Sequence, residues 1–175
     1  MKQKPKSLIL IKWNLPLIIE KSSNDKSGRL SYFCTSIQGK KIAFVSVFAP
    51  AVFDAVSFQW LTNQLLLLNE YALIIGGDMN ALADLMLDKS TTIFSKSQEI
   101  TSVNVKSFMQ TLNLIDVWRV QNPLVGDYTF FSSRHQTYSR IDYILCSREF
   151  RMCFESITWP QKALLEISLS IFHQI

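Results

Sequence analysis

The chain has no uninterrupted apolar run approaching membrane-spanning length, and so offers no transmembrane helix. It also has no internal repeat and no low-complexity segment. Cysteine is scarce: Cys34, Cys146 and Cys153 make three. The number is odd, no C-x-x-C occurs, and each lies in an apolar segment. This favours buried, reduced thiols over a disulfide framework or a zinc site, and fits a reducing compartment. The stretch from Lys2 to Ile11 resembles a leader, but its apolar part is too short and Lys12 interrupts it.

Charge is also sparse. Only 18% of the 175 residues are charged, against 48% hydrophobic, and mean hydropathy is +0.14. Such a chain can build a large core as one domain or as an incomplete larger one. Net charge is +4, which weakly fits a polyanionic partner. The basic residues are dispersed, except at Lys2, Lys4 and Lys6 and at Lys40-Lys41, so ordinary solvated lysine is the competing reading.

The richest stretch is Leu73-Ile-Ile-Gly-Gly-Asp-Met-Asn80. Apolar residues run into two glycines and then a carboxylate and an amide, which predicts a buried strand ending in an abrupt turn. Asp78 and Asn80 would stand at the strand's carboxyl end, where open α/β sheets place chemistry; an Asx-type turn is the bland alternative. Upstream, short strands are expected at Leu8–Ile11 and Leu17–Glu20, and longer ones at Arg29–Ile37 and Lys41–Phe48, with a hairpin turn at Gln38-Gly39-Lys40. Asp54 can cap a helix over Ala55–Asn69, where Phe58, Leu61, Leu65 and Leu68 recur at helical spacing. Strand, helix and strand then form a crossover unit.

Ala81–Ser102 lacks periodicity and is expected to be a long loop. Helix is expected over Ser102–Leu112, and one further helical turn over Leu114–Val120. Strands follow at Tyr128–Phe131 and Arg140–Cys146, with Ser132–Ser139 as a polar loop between them. Further strands are expected at Phe154–Thr158 and Leu165–Ile171. Asp142 lies inside the apolar run Ile141–Leu145, where a carboxylate must be paired; a structural contact to Arg140 or a serine is as good a reading as a catalytic one. His135 and His173 read as incidental.

Three phrases occur in order: Gly76-Gly-Asp-Met-Asn80, Tyr128-Thr-Phe-Phe-Ser132 and Tyr138-Ser-Arg-Ile-Asp-Tyr143. With Asn113-Leu-Ile-Asp-Val-Trp-Arg119 and Leu87-Asp-Lys-Ser90, the set resembles the endonuclease/exonuclease/phosphatase superfamily. It is most similar to the apurinic-like endonuclease domain of LINE-type retrotransposon polyproteins. The resemblance spans about Leu8 to Ile171. It implies an α/β fold: a four-layer sandwich of two packed, mostly antiparallel sheets flanked by helices, here lacking the first strands and helix. It implies a magnesium-dependent hydrolase that nicks DNA at a phosphodiester, and a nuclear location if that role is kept.

The resemblance makes Asp78 the residue that orients or deprotonates water. Asn80 holds the phosphate, Asp142 orients a histidine, and Thr129 and Arg140 lie on the substrate side. It also exposes departures. No metal-binding glutamate precedes Leu8, Phe48 stands where a tyrosine touches phosphate, and the Asp-His pair near the end is replaced by Gln161 and Lys162 or deleted. Magnesium needs carboxylate oxygens, so its binding is doubtful and little activity is expected of this copy. A non-catalytic nucleic-acid-binding remnant and a relic without function stand beside the nuclease reading. Two structural expectations follow: Lys162 pairs with Asp142, and an uncovered sheet edge favours self-association.

Overall fold

The computed structural model describes residues 7–11, 16–51 and 54–151. Its elements, in chain order, are β1 (Ile19–Asn24), β2 (Leu30–Ile37), β3 (Lys40–Phe48), α1 (Ala55–Leu66), β4 (Ala72–Asp78), α2 (Lys96–Thr111), β5 (Leu114–Asp116), α3 (Val117–Gln121), β6 (Phe130–Ser132), β7 (Thr137–Ser139) and β8 (Asp142–Ser147). A mixed six-stranded sheet has the order β1-β2-β3-β4-β8-β5, and β6-β7 form a separate ribbon. Within the large sheet only β3 and β4 pair in parallel; the other neighbours are antiparallel. The α/β class and the dominance of antiparallel pairing are as expected. No helix among the described residues is long and apolar enough to cross a membrane.

Local chemistry sets the register. Gln38 and Gly39 take φ of 51° and 78°, the geometry of a tight two-residue hairpin turn, so Ile37 pairs with Lys40. Asp25 closes the turn before β2 by accepting from the backbone N–H of Ser27, Arg29 and Leu30. The Asp54 side chain accepts from Val56 N and starts α1. This helix is the crossover that lets β4 lie parallel to β3. Its buried face, Phe58, Leu61 and Leu65, packs with Val105 and Phe108 of α2 against Val45, Val47 and Ile75 of the sheet. Phe58 and Phe108 meet edge to face at 6.4 Å. The opposite sheet face holds a smaller cluster of Ile42, Ile115, Val117, Cys146 and Phe150. Cys34 and Cys146 are buried and form no disulfide.

Several expectations shift. Leu8–Ile11 is not a strand, and β1 begins at Ile19 and runs to Asn24 with all six residues exposed; pairing with β2, rather than burial, defines it. The helix α2 starts six residues before the expected Ser102, because Ser95 and Gln98 form a reciprocal capping box. Buried Thr101 and Ser102 hide its apolar period. Leu114–Asp116 is a strand rather than a helical turn, since a short apolar run fits either state until β8 pairs with it. Thr137–Ser139, expected in a loop, pairs with β6. The strands expected after Cys153, that cysteine itself, and Gln161 and Lys162 lie outside the described residues, as does the Lys162–Asp142 pair.

The two glycines at the end of β4 differ. A Cβ on Gly77, whose φ is +156°, would lie 1.9 Å from Val47 O, whereas a Cβ on Gly76 would meet nothing within 4 Å. Only at Gly77 does the close approach of β3 and β4 require glycine. We expect Gly77→Ala to lower the unfolding free energy by about 3 kcal/mol or more, as forced overpacking does, and Gly76→Ala to change it little. Urea denaturation of both variants checks the contrast.

Candidate active site

The parallel strand β4 and the antiparallel strand β8 bring two carboxylates together. Asp78 ends one, Asp142 begins the other, and they are cross-strand partners. Phe48, the last residue of β3, flanks Asp78 on its other side. It presents a ring without a hydroxyl.

The turn after Asp78 is tied down on every side. Asn80 takes φ of 46°, a conformation that asparagine tolerates. Its backbone N–H donates to Asp78 Oδ1 at 2.7 Å, and its Nδ2 donates to Ala49 O at 2.9 Å and to Asp78 Oδ2 at 3.2 Å. Ala49 N donates in turn to Asp78 O, and Met79 N to Ile141 O. Asp142 is held through Thr129, whose Oγ1 accepts from the backbone N–H of Ile141 and Asp142 at 3.2 Å each. The Thr129 side chain also hydrogen-bonds the Asp142 carboxylate.

Burial dominates the electrostatics. It pushes the Asp78 carboxyl up to about 7, with the Asp142 charge adding to the rise and the Asn80 hydrogen bonds opposing it. Burial raises Asp142 as well, against the Thr129 bond. A carboxylate poised near neutrality suits a general base. Asn80 also lines a groove of about 710 Å³ that runs between the loop carrying Lys89 and the β6-β7 ribbon carrying Phe130 and His135. His135 is thus placed on the groove rim.

The structure therefore brings Asp78, Asn80, Asp142 and Thr129 together. Arg140, which the resemblance put on the substrate side, does not join them. It is 3% exposed, and its Nε and Nη2 are committed to Asp88 Oδ1 at 2.9 Å and Asp116 Oδ2 at 2.6 Å. Nor does it pair with Asp142. Its guanidinium lies 4.4 Å from the Tyr143 ring centroid. Arg119 Nη2 reaches the same Asp88 Oδ1 at 2.6 Å. The Tyr143 hydroxyl accepts from Ala83 N at 2.8 Å and has Ala81 O, Arg140 O and Asp88 Oδ2 within 3.2 Å.

Two cations and two anions thus share one interior site. Burial opposes the charge on Arg140, but Asp116 and Asp88 hold its pKa above the ordinary value. Residue-by-residue reading did not assign roles to Asp88, Asp116, Arg119 and Tyr143. The signal was there: charged residues with apolar neighbours, in the phrases Leu87-Asp88, Ile115-Asp116 and Trp118-Arg119, must be paired to be buried.

Among the described residues, no group of three or more His, Cys, Asp or Glu could hold a metal ion. Asp78 and Asp142 supply carboxylate oxygens, but they do not complete a magnesium shell with their described neighbours.

Two stability outcomes follow. Asp88→Asn leaves both arginines short of a carboxylate, and we expect a loss of about 3 kcal/mol or more in urea denaturation. The second concerns pH. Between the ordinary aspartate value and about 7, folded Asp78 keeps a proton that the unfolded chain has released, so stability falls as pH rises through that window. Asp78→Asn should flatten the dependence and be the more stable chain at pH 8, by up to about 4 kcal/mol for a carboxyl that burial holds at about 7. Thermal melts from pH 4 to pH 8 measure both.

The sequence pattern of the Endonuclease/Exonuclease/phosphatase family matches residues 31–167. A transposon TX1 uncharacterized 149 kDa protein of Xenopus laevis is 29% identical over 140 residues, covering 75% of this chain and 10% of that protein. Among solved structures, the AP endonuclease LMAP of Leishmania major superposes with a TM-score of 0.60 at 17% identity, over 73% of this chain and 48% of that one. The endonuclease domain of TRAS1, a telomere-specific non-LTR retrotransposon, does so with a TM-score of 0.55 at 16% identity, over 79% and 59%. The chain thus spans a tenth of the transposon protein and about half of the solved chains. At such identities the solved structures speak for the fold. The sequence match covers most of the chain, and with it the chain belongs to the endonuclease/exonuclease/phosphatase family.

Proposed function

We propose that this chain is a DNA-engaging domain of the retrotransposon endonuclease type whose catalytic centre is impaired. The convergence of Asp78, Asn80, Asp142 and Thr129 at one end of the sheet carries the reading, and the likenesses to a transposon protein and to the TRAS1 endonuclease support it. Phosphodiester hydrolysis needs a positioned water, a base for its proton and donors for the charge that develops on phosphate. Asp78 is built for the first two tasks: it is fixed by Asn80 and its pKa lies near neutrality.

The third task is where the site falls short. Both Nδ2 hydrogens of Asn80 are spent on Ala49 O and Asp78 Oδ2. To hold a phosphate the amide must give up the longer bond, to Asp78, and so loosen the base it positions. Phe48 offers no donor beside it. Each missing stabiliser of this kind costs about two to three decades in rate. No step is assigned to magnesium, because the described residues do not complete its site.

The experiment is relaxation of supercoiled plasmid in magnesium, with salt-dependent DNA binding measured in parallel. We expect binding that weakens steeply with salt and nicking no faster than that of Asp78→Ala. Nicking that Asp78→Ala abolishes would show a working centre and overturn the impaired reading; failure to bind plasmid at low salt would overturn the DNA-engaging one.

A further inference from the structure

The β6-β7 ribbon carries rings on both faces. Phe131 pairs with Tyr138, and Phe130 with Ser139. Strand alternation turns Phe130, Ser132, Thr137 and Ser139 toward the groove that Asn80 lines, and Phe131 and Tyr138 the other way. Those two remain 43% and 50% exposed. Their centroids are 4.7 Å apart with the planes inclined 38°. Tyr128 continues the row, 6.0 Å from Tyr138 and stacked at 29°. The outer face is therefore a row of rings, two of them about half open to solvent. The chain from Tyr128 to Arg140 contains Arg134 and His135 but no Asp or Glu, and both lie exposed at the ribbon's tip.

We infer that this outer face is a stacking platform for unpaired bases of single-stranded nucleic acid. Open aromatic faces accept any base, because every base has a π-face, and a nearby cation takes the phosphate that follows. A duplex hides its base faces inside the stack, so the platform selects strands that are already open. The absence of acidic side chains along the ribbon sequence removes the repulsion that a polyanion would otherwise meet. The inference rests on the nucleic-acid reading above. It concerns the face of the ribbon turned away from the two carboxylates.

The test uses the full chain in EDTA and fluorescence anisotropy with labelled oligothymidylate and an abasic oligodeoxynucleotide of the same length. Wild type should bind the thymidylate more tightly. Phe131→Leu and Tyr138→Leu should each weaken that binding about fivefold or more and leave the abasic oligomer unaffected, with unchanged far-UV spectra and melting temperatures. The open positions of both rings make these variants compatible with folding.

Equal affinity for the two oligomers, leucine variants that bind as wild type does, or no binding at all would overturn the platform. So would capture of anionic phosphatidylglycerol vesicles through the same two rings without thymidylate binding, which would assign the face to a membrane surface. The assay contains no metal and no duplex. It therefore separates from the nicking experiment, which reads cleavage of duplex plasmid in magnesium.

Discussion

Arg140 sits where three parts of the chain meet, and its two ion pairs fix how they meet. Asp88 belongs to the long connection after β4, Asp116 to the junction of β5 and α3, and Arg140 itself joins the ribbon to β8. Asp116 serves twice. One oxygen takes the guanidinium, and the other accepts from Arg119 N to start α3. The backbone joins in, since Arg140 N donates to Asp88 O. A buried cation with two carboxylates has little positional freedom, because moving away from either leaves a charge unpaired in a medium that penalises it. The next residues in the chain are Ile141 and Asp142. Their N–H groups reach Thr129, so the network sets the level at which Asp142 enters the sheet opposite Asp78.

The network and the carboxylate pair solve opposite problems with the same residue types. Around Arg140, two cations and two anions balance, and burial is tolerable because each charge has a partner. At Asp78 and Asp142 two carboxyl groups are cross-strand partners; burial raises the pKa of both, and at Asp78 the neighbouring carboxylate adds to the rise. A fold selected for stability alone has no reason to place like charges there. Placing two carboxyl groups side by side in a mostly buried position costs stability. The hydrogen bonds from Asn80 and Thr129 offset part of that cost without neutralising it.

Much of this was legible in the sequence. Gly76-Gly77-Asp78 announced a strand ending in an abrupt turn, and Phe58, Leu61 and Leu65 announced the helix that crosses from β3 to β4. The strand β3 follows from a run, Ile42 to Phe48, that is apolar for almost its whole length. What escaped notice depends on tertiary partners. Asp88 and Asp116 stand beside apolar residues in sequence, but the cations they meet are set only when the fold puts two arginines beside them. β5 and β7 are too short to carry a period, and only pairing makes them strands. The burial of Arg140 is equally a tertiary matter, because the motif that suggested the substrate side does not name the two carboxylates that take its guanidinium. Arg140 precedes the first residue of β8, so the strand's alternation does not govern it: its side chain turns inward to Asp88 and Asp116, while Asp142 pairs with Asp78 on β4.

That junction also limits what can change independently. Ser139 ends the ribbon, Arg140 anchors the interior, and Asp142 opens the strand that carries the carboxylate. Thr129, just before the ribbon, returns to the same point by donating its N–H to Ser139 O and bonding Asp142. The ribbon is therefore closed at its base by the same residues that hold the site, and only its tip and its two faces are free of that duty. Substitutions at Phe130, Phe131, Arg134 or Tyr138 can alter what the protein touches while the carboxylates keep their geometry. Substitutions at Thr129, Arg140 or Asp88 cannot, because each supports both. The tip and faces of the ribbon are thus joined mechanically to the carboxylate pair but chemically separable from it.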